Sequence, residues 1–352
     1  SEKRVLEIVE TLKDLPGTVS EVKETEKKSF PKPPFTTSTL QQVAANRLGF
    51  TSRKPMQIAQ QLYEGINLGS SRVGLITYMR TDSIRVSNQA LKDVRDYLEK
   101  NYPKSLPEKP ILYNVGKSAQ DAHEAIRPTY VTNTPEEMKD FLNKDQLKLY
   151  TIIWERFVSS QMSSARSKTL SVDITLGDAV FRAVTTKIVE PGYQQVLKLL
   201  SSKERSEKVP ALKKDEILSV KEFIPEQHFT TGPARYTDAS IVKALEEKGI
   251  GRPSTYAPII SVLLDRYYVV RKNKQLLPTP LGRIINDLLS ESFPEVLDVN
   301  FTAAMEQRLD DIEDARADWV SMIRDFFLPF KEKVEHVMET QESVKGDRKS
   351  VV

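Results

Sequence analysis

An alternating apolar stretch in the middle of the chain constrains the fold more than any other feature of the sequence. Every second residue from Leu170 to Leu176 is apolar, Gly177-Asp178 supplies a turn, and a second extended stretch follows. A period of two on both sides of a Gly-Asp turn is typical of a β-hairpin. Further strand-like pieces extend this β-rich part to 164–230, and regions with helical periodicity flank it on both sides.

The flanking regions are predicted to be mostly helical. Apolar residues at helical spacing from Leu40 to Leu48 predict a helix that Gly49 ends. Ser87 is the predicted N-cap of another helix, which Pro103 stops. The other predicted helices cover 1–13, 55–65, 135–142 and 145–161, and helices return from 232 to the end. Additional strands are predicted for 18–28, the apolar start of 74–83, and 216–223.

Composition excludes several classes of protein. The 352 residues suffice for two or three domains. The absence of cysteine excludes a disulfide scaffold, thiol catalysis and a thiolate zinc site. The three histidines, His123, His228 and His336, lie too far apart in sequence to predict a metal cluster. No run approaches the roughly 18 apolar residues that a membrane span needs. Because the chain starts at Ser1 with a helical pattern and no initiator methionine or signal peptide, we expect a piece of a longer protein.

Residues 235–278 form a candidate nucleic-acid-binding module. Thr237 is the predicted cap of a helix that ends near Gly249, and Pro253 suits the first turn of a second helix whose inward face includes Tyr256. The following residues predict a β-hairpin wing. Across 235–274 there are eight basic and four acidic side chains, a net charge of +4 where the whole chain has +3. Helix pairs of this kind are also common structural elements, so the pattern leaves a structural role and DNA binding both open.

Two local patterns in the C-terminal part of the chain suggest ligand-binding sites. Arg252, Ser254 and Thr255 stand at a predicted helix N-terminus, where free N–H groups and hydroxyls suit a phosphate. The acidic run LDDIED at 309–314 puts Asp310 and Asp314 on one helix face, as a metal site would require. No opposing ligand is evident, so a solvated helix face is the favoured interpretation.

Tyr78 is a candidate nucleophile. It ends an apolar stretch, and strand periodicity puts it on the same face as Arg80. A phenol with a pKa of about 10 is a poor nucleophile at neutral pH. A nearby guanidinium can hold a phosphodiester and favour the phenolate. Thr81, Asp82 and Ser83 offer short polar groups for phosphate or loop hydrogen bonds. The spacing alone favours an ordinary edge tyrosine beside a surface arginine and does not make Tyr78 catalytic.

Six sequence blocks resemble, in the same order, those of the type IA DNA topoisomerases of the bacterial topoisomerase I kind. The central block is GLITYMRTDS at 74–83, which resembles the active-tyrosine motif of that family. The others are PPFTTSTLQQVAANRLGF at 33–50, AQQLYEG at 59–65, SAQDAHEAIRPT at 118–129, PARYTDASIVKALEEKGIGRPSTYAPII at 233–260 and NFTAAMEQRLDDI at 300–312. Together the blocks cover most of the chain and are very specific.

The resemblance implies a role for each matching residue. Tyr78 would attack a single-stranded DNA phosphodiester and keep the 5′-phosphate as a covalent phosphotyrosine. Arg80 would stabilise the scissile phosphate, and His123 would make a hydrogen bond that assists cleavage or DNA positioning. Arg127 and Asp82 are further candidates for contacts to DNA. The predicted groove for single-stranded DNA is lined by Arg252, Ser254, Thr255 and Tyr256. The ring of the last residue can also stack on a base.

The resemblance also implies the fold class and domain organisation. We expect a multidomain α+β protein with mainly helical domains, one of them winged-helix-like, joined by a β-rich arch as in the type IA toroid. The arch would combine 1–37 with 164–229, the tyrosine domain would cover 38–163, and the winged-helix-like base would cover 230–352.

One family element is missing from the sequence. Type IA enzymes carry an N-terminal Toprim domain with a catalytic glutamate and an Asp-x-Asp-x-Glu cluster that holds Mg²⁺. The chain contains no such cluster, since LDDIED at 309–314 has a different spacing. The expected chain is therefore a Toprim-less fragment with no metal ligands of its own, incompetent for cleavage by itself.

For the intact enzyme the resemblance implies relaxation of negative supercoils without ATP. Its expected partners are single-stranded and negatively supercoiled DNA, and we expect a monomer in the cytoplasm, associated with the nucleoid. The alternatives are the topoisomerase module of a reverse gyrase, a topoisomerase III, or a DNA-binding fragment in which Tyr78 is inert.

Overall fold

The computed structural model describes residues 2–69, 71–113, 123–200 and 209–349, with side chains as far as 339. The α-helices are, in chain order, α1 (Glu2–Leu12), α2 (Thr37–Val43), α3 (Arg53–Glu64), α4 (Asn88–Asn101), α5 (Pro135–Met138), α6 (Lys144–Ser160), α7 (Asp238–Glu247), α8 (Tyr256–Asp265), α9 (Pro280–Ser292), α10 (Pro294–Leu297), α11 (Val299–Glu313) and α12 (Trp319–Lys349). The strands are β1 (Gly17–Ser29), β2 (Ile66–Asn67), β3 (Arg72–Val73), β4 (Ala165–Leu176), β5 (Ala179–Glu190), β6 (Ile217–Leu218), β7 (Val269–Lys272) and β8 (Gln275–Pro278). The protein is therefore of the α+β class, as the sequence predicts.

Contacts divide the chain into two compact units. The first unit comprises Ser1–Thr36 and Ala59–Ala234, and the second comprises Thr37–Ile58 and Arg235–Val352. Residues 38–58, which the sequence analysis assigns to the tyrosine domain, thus belong by contact to the second unit. The three-part division into arch, tyrosine domain and base remains a prediction.

The predicted β-hairpin is confirmed and forms one side of the larger sheet, with β5 at the edge. β4 and β5 pair antiparallel around Gly177, which adopts the left-handed backbone that the turn requires (φ 53°). The strand order is β5-β4-β1-β6, with β1 antiparallel to β4 from Thr18 opposite Thr175 to Ser29 opposite Ala165. Two segments far apart in sequence therefore share one sheet. The strand predicted over 216–223 is shorter, because β6 pairs with β1 only at Gly17 and Thr18.

Capping residues set the helix boundaries in the first unit. Ser87 caps α4 as predicted, because its side chain accepts the Ala90 N–H at 3.3 Å. The helix predicted over 135–142 ends already at Met138. Beyond it the N–H groups of Phe141 and Leu142 both donate to the carbonyl of Met138, so the chain continues in turns as far as Asn143, which accepts the N–H groups of Asp145 and Gln146 as the N-cap of α6.

The core of the first unit lies around α6. Its inward side chains are almost fully buried, and they include Tyr150, Ile152, Ile153 and Phe157. Among them is one carboxylate, Glu155, with 1% of its surface exposed. Its two oxygens accept the backbone N–H groups of Lys198, Leu199 and Leu200 at 2.9 to 3.1 Å. Burial raises the pKa of Glu155, and the N–H groups oppose that shift only in part.

The second unit builds a small core from the helix pair that the sequence predicts. Val242 of α7 packs with Tyr256 and Ile260 of α8. The hairpin β7–β8 follows, and its turn is formed by Asn273 and Lys274, both with left-handed backbone.

The segment 37–58 is tied to this module at two points. Ser38 of α2 donates to Glu246 of α7 at 2.8 Å, and the N–H of Ser52 donates to Asp238 at 3.0 Å. Asp238 is buried and also accepts two hydrogen bonds from Arg271, each 2.8 Å long. Arg271 and the Ser52 N–H outweigh the effect of burial and hold the pKa of Asp238 below its ordinary value. Within the described ranges, no helix is both long and apolar enough to cross a membrane.

Candidate active site and nucleic-acid interface

The segment that carries Tyr78 is extended but is not the regular strand that the sequence predicts. β3 ends at Val73, and beyond it only Ile76 forms a bridge, with Pro128. The Thr77 N–H donates to the carbonyl of Arg127 at 2.9 Å, and the Thr129 N–H donates to that of Leu75 at 3.0 Å. The Arg127 N–H donates to the Thr77 hydroxyl at 3.0 Å and the Ile126 N–H donates to the carbonyl of Phe35 at 2.8 Å, so the pairing does not continue as a ladder. The result is a short, irregular anchor between 74–77 and 125–129.

Side-chain burial alternates immediately after Tyr78. Met79, Thr81 and Ser83 are buried, whereas Arg80 and Asp82 are exposed. The Thr81 oxygen accepts the Ser83 N–H at 3.0 Å, which holds this loop from inside. Arg80 and Asp82 therefore share a solvent-facing side, and neither forms an ion pair within the part of the chain that the structure describes.

The half-buried ring of Tyr78 lies between two other aromatic rings. Its centroid is 5.5 Å from that of His123, with the rings tilted by 35°. On another side Tyr63 makes an edge contact at 5.4 Å and 66°. The structure thus brings His123 and Tyr78 together, although they lie far apart in sequence. Residues 118–122 of the block around His123 lie outside the described residues.

A close approach between two backbone segments positions this tyrosine. A Cβ atom placed on Gly74 would lie 2.7 Å from the carbonyl oxygen of Tyr63 at the end of α3. Since Gly74 lies only four residues before Tyr78, the contact sets the distance between α3 and the tyrosine segment. Any larger residue at position 74 has to push the segment away from the helix.

We therefore expect Gly74→Ala to lower the free energy of unfolding by about 1–3 kcal/mol, the range typical of an overpacked site. Urea unfolding of the chain measures this change. Gly232→Ala is the matched control, because a Cβ atom at Gly232 would meet no atom within 4 Å. Equal stability of the two variants would contradict the inferred close approach.

The side chain of Arg127 forms its hydrogen bonds within its own loop. Its Nε donates to Glu124 at 2.7 Å and its Nη1 donates to the carbonyl of Pro128 at 3.0 Å. Burial alone would raise the pKa of Glu124, but Arg127 and Ser87 outweigh it and hold that pKa below the usual value. In this arrangement Arg127 fixes the loop next to His123. A phosphate contact by Arg127, as predicted, would have to replace the pair with Glu124.

The second predicted site lies in the turn before α8. Ser254 and Thr255 are exposed, and the hydroxyl oxygen of Thr255 accepts the Arg252 N–H at 2.8 Å. Gly251 has left-handed backbone (φ 77°), and a Cβ atom there would lie 3.1 Å from side-chain atoms of both Ile259 and Thr255. The turn is therefore tightly closed over the start of the helix.

Tyr256 differs from the other predicted groove residues. Only 7% of its surface is exposed, and its ring packs against Val242 and Ile260. This is the inward position that helical periodicity predicts for Tyr256. A ring in this position stabilises the helix pair and presents no open face to a DNA base.

Arg252 is bound by an acidic pair that the sequence analysis does not connect with it. Its Nε and Nη2 donate to the two carboxylate oxygens of Asp310 at 3.2 and 2.6 Å. Glu306, one turn earlier on α11, lies 3.7 Å from Nη1 and accepts the Gly251 N–H at 3.0 Å. The hydrogen bond and charge of Asp310 outweigh the effect of burial and raise the pKa of Arg252.

The acidic run at 309–314 is thus only in part the solvated face that the sequence favours. Asp310 pairs with Arg252, whereas Asp311 and Asp314 both pair with Arg316. Among the described residues, no group of three or more His, Cys, Asp or Glu side chains is arranged to hold a metal ion. Tyr63 and Glu306 are not among the residues predicted from the sequence, and Asp310 was considered only as a metal ligand and not as the partner of Arg252. Tyr63 and Glu306 each lie within one of the quoted blocks, which is the only signal in the sequence that could have pointed to them.

Comparison with known proteins gives consistent results. A family model described as DNA topoisomerase matches residues 1–324. The DNA topoisomerase 1 of Treponema pallidum is 58% identical over 329 residues, covering 93% of this chain and 45% of that protein. The DNA topoisomerase 1 of Xylella fastidiosa is 46% identical over 327 residues, covering 90% of this chain and 40% of that protein. The chain therefore spans less than half the length of these curated relatives.

A solved structure is similar as well. Full-length topoisomerase I from Thermotoga maritima matches with a TM-score of 0.80 and 37% sequence identity, covering 93% of this chain and 54% of that chain.

Proposed function

This chain belongs to the bacterial type IA DNA topoisomerase family of isomerases, and from that membership we propose that it is the strand-cleaving and DNA-binding part of such an enzyme. Tyr78 attacks the phosphorus of a single-stranded DNA phosphodiester. The phenol loses its proton as its oxygen bonds to the 5′-phosphate, the bond to the 3′-oxygen breaks, and the 3′-oxygen takes up a proton. Reversal of the same step religates the strand.

The observation that supports this proposal is the setting of Tyr78. Its ring lies 5.5 Å from His123, and Arg80 and Asp82 extend into solvent two and four residues later. We assign Arg80 to the scissile phosphate, because a guanidinium can donate two parallel hydrogen bonds to phosphate oxygens and balance their negative charge. Asp82 contacts DNA from the same exposed side of the loop. His123 provides a hydrogen bond to the reacting strand, next to the nucleophile.

We further propose that Mg²⁺ and the general acid come from a Toprim domain, as the family resemblance implies. The described residues of this chain do not form a metal site of three or more ligands. When bound, Mg²⁺ would orient the DNA and neutralise phosphate charge. The role of this chain is to hold the strand, supply the nucleophile and retain the cleaved end.

In the intact enzyme we propose relaxation of negatively supercoiled DNA without ATP. The phosphotyrosine conserves the energy of the broken bond, so that religation needs no second energy source. The helix pair with its hairpin serves as a winged-helix-like base, and Arg252, Ser254 and Thr255 contact the backbone of the single strand. The enzyme acts as a monomer in the bacterial cytoplasm, on the nucleoid.

Covalent capture of a single strand tests the proposed function. The chain is incubated with a 3′-labelled single-stranded oligonucleotide, alone or with a separately expressed Toprim domain and Mg²⁺, and then denatured in detergent. We expect labelled protein only when the Toprim domain and Mg²⁺ are both present. Tight oligonucleotide binding with no adduct under any condition would favour a non-catalytic DNA-binding fragment.

The proposed groove makes a prediction about affinity. We expect Arg252→Ala to weaken binding to a single-stranded oligonucleotide and to flatten its dependence on salt, because each phosphate neutralised contributes about −0.7 to the slope of log K against log salt. Fluorescence anisotropy at several salt concentrations measures both quantities. Arg266→Ala, at the opposite end of α8, removes the same charge and should have a smaller effect. An unchanged salt slope in Arg252→Ala would show that Arg252 does not contact a phosphate of the strand.

A further inference from the structure

One face of α11 holds both the backbone and the side chain of the turn that contains Arg252. Glu306 accepts the N–H of Gly251 at 3.0 Å, and Asp310, one helical turn later, binds the guanidinium with two hydrogen bonds. These two carboxylates lie within the second unit, as does the turn itself. The contact therefore forms within a single compact unit.

Most of the hydrogen-bonding capacity of the guanidinium is already used. A guanidinium has five N–H donors. The Nε–H and one Nη2–H go to Asp310, and Nη1 donates to the carbonyls of Gly249 at 3.4 Å and Gly251 at 2.9 Å. Within the described part of the chain, a single Nη2–H is left without a partner. A second bidentate partner cannot bind the edge formed by Nε and Nη2 unless Asp310 leaves.

A DNA phosphate is the same kind of partner as Asp310. Carboxylate and phosphate oxygens both accept two parallel hydrogen bonds from a guanidinium, so a phosphate can take the edge that Asp310 occupies. Roughly a third of each side chain is exposed, 30% for Arg252 and 31% for Asp310, so the pair is within reach of a strand in solution. A phosphate that takes this edge leaves the Asp310 carboxylate unpaired and beside the DNA backbone, where the two charges repel.

We propose that Asp310 competes with the DNA phosphate for Arg252 and thereby limits the affinity of the groove for a single strand. This inference rests on the proposed function, in which Arg252 contacts the strand. Each binding event exchanges one anion for another at the same guanidinium, and each release restores the internal pair. Glu306 keeps the turn in place during the exchange, because its bond to the Gly251 N–H does not involve the guanidinium. The result is a groove that binds and releases the strand readily.

The test is a comparison of single-strand affinities for the whole 352-residue chain. Asp310→Asn keeps an oxygen that can accept the Nε–H but removes the competing charge. We expect it to bind an oligothymidylate about fivefold more tightly than the unaltered chain at low salt, the scale of a partly exposed ion pair. Its salt slope should steepen by up to about 0.7, because the charge of Arg252 beside the bound phosphate is then no longer offset by the carboxylate of Asp310. A merely structural role for Asp310 would give weaker binding instead.

Two further variants separate this effect from a general change in charge. Asp311→Asn removes the same charge one position along α11, where the carboxylate pairs with Arg316, and should leave affinity within about twofold of the unaltered chain. In the double variant Asp310→Asn, Arg252→Ala, the gain in affinity should disappear.

Each outcome is decisive. Equal or weaker binding by Asp310→Asn would overturn the competition while leaving the proposed function intact. Absence of binding by the unaltered chain would overturn both. Should Asp310→Asn not fold, the unaltered chain provides a second measurement, namely the NMR signal of the Arg252 Nε–H, identified by its loss in Arg252→Ala. We expect this signal to shift on saturation with oligothymidylate, and an unmoved signal would overturn the proposal.

Discussion

We expect the Tyr78→Phe chain to form no covalent adduct with single-stranded DNA under conditions in which the unaltered chain forms one. The substitution removes only the phenol oxygen, so the ring keeps its contacts with His123 and Tyr63. Without that oxygen there is no atom to form the bond to phosphorus, and a loss on the order of a thousandfold or more is typical when a nucleophile is removed. Detergent gels of the labelled oligonucleotide, with the Toprim domain and Mg²⁺ supplied, measure the adduct.

Tyr63→Phe is the matched control for this experiment. Tyr63 carries the same phenol group, its ring touches that of Tyr78, and 41% of its surface is exposed. We expect its adduct yield to stay close to that of the unaltered chain. Persistence of the adduct in Tyr78→Phe would reject Tyr78 as the nucleophile, and its loss in Tyr63→Phe alone would transfer that role to Tyr63.

The second large effect concerns stability and arises at Glu155. We expect Glu155→Leu to lower the free energy of unfolding by about 3 kcal/mol or more, because three backbone N–H groups lose their acceptor at roughly 1–3 kcal/mol for each donor left unsatisfied. Urea unfolding measures the total. Faster hydrogen exchange at the N–H groups of Lys198, Leu199 and Leu200 would assign the loss to this site. Unfolding at the same urea concentration as the unaltered chain would show that these bonds contribute nothing.

Two variants control for the nature of the change at Glu155. Glu155→Gln keeps one acceptor oxygen and should lose less stability than Glu155→Leu. Glu136→Leu alters an exposed glutamate whose only described ion pair is with Lys139, and it should change stability by about 0.5 kcal/mol or less.

The raised pKa of Glu155 adds a dependence on pH. A buried glutamate whose pKa lies above its ordinary value of 4.5 binds its proton more tightly in the folded than in the unfolded chain. Its contribution to stability is therefore fully present below pH 4.5 and falls as the pH rises through the raised pKa. Glu155→Gln does not titrate, so the stability of the unaltered chain relative to this variant should decrease over that window. A constant difference would contradict the assigned direction.

Features encoded by neighbouring residues were predictable from the sequence. The Ser87 cap and the hairpin around Gly177 each depend on a few adjacent residues, and both are confirmed. The strand over 74–78 was wrong because the N–H groups of Arg127 and Ile126 in the partner segment donate to the Thr77 hydroxyl and to Phe35 and do not extend the ladder. The predicted end of α5 was wrong because the N–H groups of Phe141 and Leu142 both donate to the carbonyl of Met138, and the chain continues there in turns.

In the candidate site, too, local patterns were informative, whereas contacts between separate segments could not be predicted from them. Periodicity places Tyr256 on the inward face of α8, whereas the resemblance places it in the groove, and the structure buries it. The proximity of His123 to Tyr78 followed from the resemblance alone, because no local pattern links residues in separate segments. The pairing of Arg252 with Asp310 joins residues 58 positions apart, and a list of charges cannot indicate which of them meet.

The pairing of β1 with β4 has a consequence for how the chain reaches its fold. Ser29 lies opposite Ala165, so this ladder closes a loop that contains everything between those residues. The β4–β5 hairpin needs only its own two-residue turn, and such a hairpin forms within microseconds. β1 can pair with this hairpin only after the enclosed segment has brought the two ends together. The entropy cost of closing that loop comes before the stabilising contacts between β1 and β4 can form. We therefore expect β1 to be the last long strand to join the sheet, and the protection of its amide groups to lag behind that of β4 and β5 during refolding.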